Sequence, residues 1–251
     1  MKTLKKQKKR NLDTWIFLTL LTLFFWSPMS NAITRTKTNT ELKPYQATYL
    51  VYWQGLKVGS STHDLKKIDA HHYTASAVTK PFLKILPFKS SENSQFSVSQ
   101  NQVHPQRYEY DTQEKNKHKS GLLIFDWQKK RIQSKKSNSS PEHLPLPNNA
   151  QDKITIFFQI RNDLRANKKE FNYTVIEADK IKTYHFKITG QESLKTSLGE
   201  LETLRLEHLS DNQERLTKVW VAKDLDYLMV KLQQFKKGKL TAESRIEDFA
   251  L

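Results

Sequence analysis

The chain contains no cysteine in 251 residues. That excludes a disulfide framework, a thiolate nucleophile and a zinc site of cysteine type. It also excludes a lipoprotein anchor, whose lipid needs a cysteine at the cleavage point. Glycine is scarce, with six residues in all, and no Gly-rich phosphate loop, Gly-x-Ser-x-Gly or His-Glu-x-x-His occurs. Long apolar runs are missing too. The stretch from Trp15 to Trp26 is roughly twelve residues, where about twenty are needed to cross hydrocarbon.

What surrounds that stretch gives it a meaning. Lys2, Lys5, Lys6, Lys8, Lys9 and Arg10 precede it, and Pro28 and then Ser30-Asn31-Ala32 follow. Basic, then apolar, then small-x-small is the order of a secretory signal, with cleavage expected after Ala32 and the periplasm as destination. A retained signal anchoring the chain in the inner membrane is the alternative. The expected organisation is a signal over 1–32, a flexible segment over 33–41 and a single β-rich domain over 42–251. The leader holds six of the 42 basic and one of the 26 acidic residues, so +11 of the +16 net charge stays with the exported part.

That part reads as β nearly throughout. In Tyr45 to Trp53 the odd positions Tyr45, Ala47, Tyr49, Val51 and Trp53 line one strand face, and Gly55 and Gly59 bracket a hairpin turn. Strands are predicted at 72–79, 91–99, 107–112, 120–127, 131–136, 171–178, 183–189, 200–209, 217–222, 227–235 and 240–249. Short strands joined by Asn, Gly, Lys and Asp clusters form an antiparallel meander. More than ten strands seldom stay flat, so a curled sheet or incomplete barrel with a largely apolar inner face is predicted. Two segments differ. Pro81 to Pro87 predicts a short helical turn or lid over about 81–86. A helix is predicted over about 150–164, with Asn149 as cap, Asp152 in the first turn, and Ile154, Phe157, Phe158, Arg161 and Leu164 at helical spacing.

Several landmarks occur in a telling order: Tyr45-x-Ala-x-Tyr-x-Val with Gly55 and Gly59, Glu92-x-Ser94-x-Phe96, Pro105-x-x-Tyr108-x-Tyr110 and Phe125-Asp126-Trp127. Downstream come Gln151-Asp152, Tyr184-x-Phe186-x-Ile-x-Gly190-x-Glu192, Thr196-x-x-Gly199 and Trp220-x-Ala222-x-Asp224-Leu225-x-Tyr227-Leu228. Over about residues 42 to 249 the chain resembles the DUF3108 family, a domain of unknown function in exported Gram-negative bacterial proteins. The resemblance implies a mainly β envelope protein and brings no reaction with it. Leu198 stands where relatives tend to have a small residue or proline.

Candidate chemistry is sparse. Asp126, Glu92 and Glu192 are the carboxylates on which a hydrolase of a glycan or ester would depend, and such an enzyme needs them in one pocket. The structural reading puts Asp126 at the surface beside Lys129, Lys130 and Arg131, and makes Asp152 a helix cap. His71 and His72 point to opposite strand faces and cannot readily share a metal, and no cofactor is expected. The lysine clusters suit an anionic partner, or else guard strand edges. Export points away from nucleic acid, and the expected partners are an envelope lipid, lipopolysaccharide or an envelope protein, with peripheral contact to a membrane surface. Trp53, Tyr110, Trp127 and Trp220, with Lys129 and Arg131, are the candidate ligand-contacting residues. A non-enzymatic envelope protein that binds an amphipathic or anionic component is the leading expectation, and the hydrolase is its alternative.

Overall fold

Alternating residues along the chain from Tyr45 onward build one sheet, whose strands pair with their sequence neighbours almost without exception. A computed structural model describes residues 41–83, 88–114, 116–137, 139–177 and 180–251. The expected signal and nearly all of the segment after it lie outside these residues. The strands are β1 (Tyr45–Trp53), β2 (Leu56–Lys67), β3 (His72–Pro81), β4 (Phe88–Ser99), β5 (Gln102–Glu114), β6 (Lys117–Asp126), β7 (Arg131–Lys136), β8 (Glu142–Pro145) and β9 (Ala150–Gln151). After the helix α1 (Thr155–Arg165) come β10 (Glu170–Glu177), β11 (Lys180–Thr196), β12 (Gly199–Leu209), β13 (Arg215–Ala222), β14 (Leu228–Lys236) and β15 (Lys239–Ala250). The sheet order is β8-β7-β6-β5-β4-β3-β2-β1-β15-β14-β13-β12-β11-β10-β9. Every pair is antiparallel except β9 with β10. The first and last strands therefore meet in the middle, where β1 pairs with β15.

The sheet curls without closing its backbone ladder. Its seam is made by side chains: Gln151 Nε2 donates to the Val103 carbonyl (2.9 Å), and the Val103 N–H donates to Gln159 Oε1 (2.8 Å). These amides satisfy backbone groups of β5 that have no partner on β6, whose pairing begins only at Arg107. Beyond the seam β6 to β8 continue, and Leu123, Phe125 and Ile132 share a core with Leu146, Ala150 and Ile154.

The helix sits inside this curl, and nine of its eleven residues are buried. Phe158 stacks on Phe96 (centroids 5.0 Å apart) in one core cluster, while Ile156, Ile160 and Leu164 pack with Phe171, Val175 and Leu206 in another. A helix buried on all sides must satisfy its polar side chains internally. Gln159 and Asn162 donate to the Asn101 carbonyl in the β4–β5 turn. Asp163 accepts from Tyr173 Oη (2.7 Å) and Lys168 Nζ (2.7 Å). Arg161 and Arg165 both reach Asp226 in the β13–β14 turn.

The helix starts later than its sequence pattern suggests. Ala150 and Gln151 form β9, and Asn149 bonds to Asn172 and Thr174 rather than capping. Asp152 does the capping: its Oδ1 accepts from the N–H groups of Ile154 and Thr155 (both 2.8 Å), while Thr155 Oγ1 accepts from the Asp152 N–H. Its Oδ2 accepts from buried Ser94 (2.6 Å). The helical turn expected over 81–86 is not seen where it is described, since Pro81 ends β3 and Phe82 and Leu83 form a bend; 84–87 lie outside the described residues.

Gly59 shows how tightly β2 and β3 approach. A Cβ there would lie 2.3 Å from the Lys80 carbonyl oxygen and 3.1 Å from the Phe88 ring. Gly59→Ala is expected to cost about 1–3 kcal/mol, the usual penalty for overpacking, read as a lower urea midpoint at unchanged slope.

Candidate functional site

Along β2, β3 and β4 the inward face changes character. Near α1 it carries Leu65, Tyr73, Ala75, Phe96 and Val98, all buried in the core. Towards the other end the same face carries Ser61, Thr79, Ser90 and Glu92, which cannot form a dry interior. There the curl holds a cavity of about 1080 Å³, at the upper end of what small-molecule sites offer. Phe157, Ile160 and Arg161 of α1 form its floor, and Tyr45, Tyr49, Tyr227, Met229 and Leu232 contribute an apolar wall. Asp211 and Asn212 of the β12–β13 turn, Arg215 at the start of β13 and Lys236 of β14 stand at its mouth.

Its polar groups are mostly held by one another. Tyr49 Oη donates to the Met229 carbonyl (2.8 Å), and its ring lies 4.6 Å from that of His63. Burial lowers the His63 imidazole to about 4, so it is neutral at physiological pH. Glu92 accepts from Tyr108 Oη (2.6 Å). Burial would raise the Glu177 carboxyl, but hydrogen bonds from Lys182 and Tyr184 outweigh it and leave it below its usual value. One group is left over: Arg161 Nη1 is buried with no hydrogen-bond partner among the described residues. The other two nitrogens of that guanidinium are engaged with Asp226, and its plane lies over the rings of Tyr45 and Phe158. A buried donor of this kind suits a ligand oxygen.

None of the six residues proposed from sequence as ligand contacts lines this cavity. Trp53 ends β1 and is exposed; Tyr110 packs at the edge of the first core cluster beneath Gly121. Trp127 Nε1 donates to the Pro105 carbonyl (2.7 Å). Lys129 in the β6–β7 turn and Arg131 at the start of β7 flank Asp126 at the end of β6, and the Lys129 N–H, at 2.9 Å, heads the influences that lower the Asp126 carboxyl. Trp220 is buried, donates to Glu192 Oε1 (2.9 Å) and lies under the Lys231 ammonium. The hydrolase carboxylates are likewise dispersed: Glu92 lines the cavity, while Glu192 on β11 is bound by Arg205 and Trp220, and Asp126 ends β6 beside Lys129. Among the described residues no cluster of three or more His, Asp or Glu is placed to hold a metal ion.

Residues 48–244 match the family described as Protein of unknown function (DUF3108). The chain belongs to that family. At Leu198 the chain turns with Thr196 Oγ1 donating to the Gly199 carbonyl and accepting from the Leu198 N–H, and Leu198 packs against the third core cluster. Among curated proteins none matches the DUF3108 chain in sequence. Its fold is similar to a crystal structure of a β-barrel-like protein of the DUF1849 family from Brucella abortus, with TM-score 0.56 and 11% identity over 84% of this chain and 98% of that one. Two further crystal structures align over most of their length at lower scores. One is a candidate lipoprotein from Parabacteroides distasonis (TM-score 0.37, 9% identity, 83% of this chain and 96% of that one). The other is a candidate exported protein with a YmcC-like fold from Bacteroides fragilis (TM-score 0.40, 9% identity, 84% and 97%). The resemblance to the Brucella protein concerns the fold alone. Among the described residues no helix is long and apolar enough to cross a membrane.

Proposed function

We propose that this DUF3108 protein is a non-enzymatic binder of an amphipathic molecule in the bacterial envelope, working in the periplasm. The basic, apolar and small-residue order of 1–32 supports the compartment. The observation that carries the binding role is the cavity: about 1080 Å³, aromatic and aliphatic towards α1, polar at its mouth, with one buried arginine nitrogen unpartnered. An acyl or aromatic group fits the wall of Tyr49, Met229 and Leu232, and an oxygen of the same molecule fits Arg161. Lys182, Arg215 and Lys236 at the open side suit an anionic head group.

The test is uptake of N-phenylnaphthylamine, a dye that brightens in apolar surroundings, by the wild type and by Ala77→Phe, which inserts a ring into the cavity from β3. Saturable brightening, displaced by a fatty acid or a lipid A-like amphiphile and reduced about tenfold in the variant, is the expected result. Wild-type protein that takes up neither dye nor amphiphile contradicts the proposal.

A further inference from the structure

Eight large hydrophobic side chains are exposed among the described residues, and six of them occupy one end of the sheet: Trp53, Leu56, Phe82, Leu83, Ile181 and Leu209. This is the end at which the cavity opens, marked by the β12–β13 turn and Lys236. The remaining two, Ile68 in the β2–β3 turn and the terminal Leu251, are elsewhere. Scattered exposed leucines need no explanation, but concentration around one opening does.

Four of the hairpin tips at this end touch in series. The Phe82 N–H donates to the Val58 carbonyl (3.0 Å), and the Lys57 ammonium lies 5.4 Å from the Phe82 ring centre, joining the β3–β4 and β1–β2 tips. The Gln54 N–H donates to the Thr241 carbonyl (3.1 Å), joining β1–β2 to β14–β15. Lys237 bonds to Glu214 through backbone and side chain, joining β14–β15 to β12–β13. Exposed lysines stand between the apolar tips: Lys57, Lys80, Lys236, Lys237 and Lys239. Of these only Lys237 has an ion-pair partner among the described residues.

We propose that this rim docks on an anionic phospholipid surface and sets the mouth of the cavity against the bilayer. Tryptophan, leucine and phenylalanine at hairpin tips enter the interfacial region, while lysines attract and reach the phosphates. Charge complementarity selects this occupant over a protein. Lysine is depleted where proteins meet, whereas lysine alternating with apolar tips is what an acidic lipid surface rewards. The inference rests on the reading of the cavity as an amphiphile site and names the source of the amphiphile, a membrane reached directly.

Vesicle flotation tests it, with the full protein as isolated from cells and vesicles of phosphatidylcholine with or without phosphatidylglycerol. The variants are Leu56→Ser/Phe82→Ser and Lys57→Ser/Lys239→Ser on the rim, and Ile68→Ser in the β2–β3 turn. All five positions are exposed, and unchanged thermal midpoints confirm folding. Wild type and Ile68→Ser are expected to float with the acidic vesicles at low salt, about tenfold less with phosphatidylcholine alone or at high salt. Each rim variant is expected to lose about tenfold on the acidic vesicles. Rim variants that float like wild type, wild type that ignores acidic vesicles, or equal binding to both lipids would overturn the proposal. Ala77→Phe separates the two readings: it is expected to float normally while failing to take up dye. Failure of dye uptake by wild type with flotation intact removes the cavity reading alone.

Discussion

Replacing Asp226 with alanine is expected to lower the stability of the fold by about 3 kcal/mol. Asp226 is the only carboxylate paired with Arg161 and Arg165 among the described residues; their side chains are 6% and 15% exposed. Arg161 Nη2 bonds to Oδ2 at 2.6 Å, Arg165 Nε to Oδ1 at 2.7 Å, and Arg165 Nη2 also meets Oδ2. Removing one partner of a buried ion pair strands the other charge, which costs about 3–5 kcal/mol. The lower end applies because Asp226 is itself 37% exposed. In a chain of this size the thermal midpoint should fall by about 6–12 °C. Asp226→Asn keeps a side chain tolerant of the left-handed backbone at this position (φ 56°) and should lose less. Burial alone would raise the Asp226 carboxyl, but Arg165 and Arg161 lower it. Its stabilisation is therefore full above its usual value near 3.8 and disappears only as the pH falls through the lowered one. A variant as stable as wild type would mean that α1 is not held at this end by the arginine pair.

Asp152 should show the opposite dependence. Burial raises its carboxyl from 3.8 to about 6, against the opposing pull of Ser94 and the amides of Thr155 and Ile154. A carboxyl raised in the folded state favours folding when protonated, so its contribution is full below about 3.8 and is lost as the pH rises through about 6. At about 1.4 kcal/mol per pKa unit, the difference approaches 3 kcal/mol. Wild type should thus gain stability relative to Asp152→Asn between pH 7.5 and pH 4, followed by urea titration at each pH. Asparagine retains the Oδ1 acceptor for Ile154 and Thr155 and can donate to Ser94, so the variant folds and serves as the pH-insensitive reference. Parallel curves for the two proteins would show that Asp152 does not titrate in this window.

Period-two alternation was a sufficient guide to most strands, and the cavity face of β1 follows it: Tyr45, Tyr49 and Val51 all point inward. β2 carries no such alternation, since Gly59 to Asp64 contains no large apolar residue, and the hairpin signal of Gly55 and Gly59 marks only where it begins. Its inward positions are Ser61 and His63, which face the cavity and need no hydrophobicity. That is also the signal that could have located the site: three neighbouring strands whose inner face passes from large apolar to small polar side chains at the same height. The helix pattern was legible from Ile154 to Leu164, but its start was not. Asn149 and Asp152 are both plausible caps, and pairing of Ala150 and Gln151 with β10 decides between them. Asp226 carried no sequence mark, since its role depends on a turn meeting α1 some sixty residues away in sequence. The aromatic residues expected as ligand contacts lie outside the cavity lining for a related reason. Trp127 and Trp220 each satisfy an indole N–H against a neighbouring strand, a structural role for which large aromatics are equally suited.

Native mass spectrometry of the protein isolated from the cells that express it tests the central claim most directly. A curled sheet floored by α1 and holding an amphiphile should register as polypeptide plus one bound molecule, released on denaturation and missing from Ala77→Phe. A bare polypeptide mass that stays unchanged when fatty acid or phospholipid is added would contradict it.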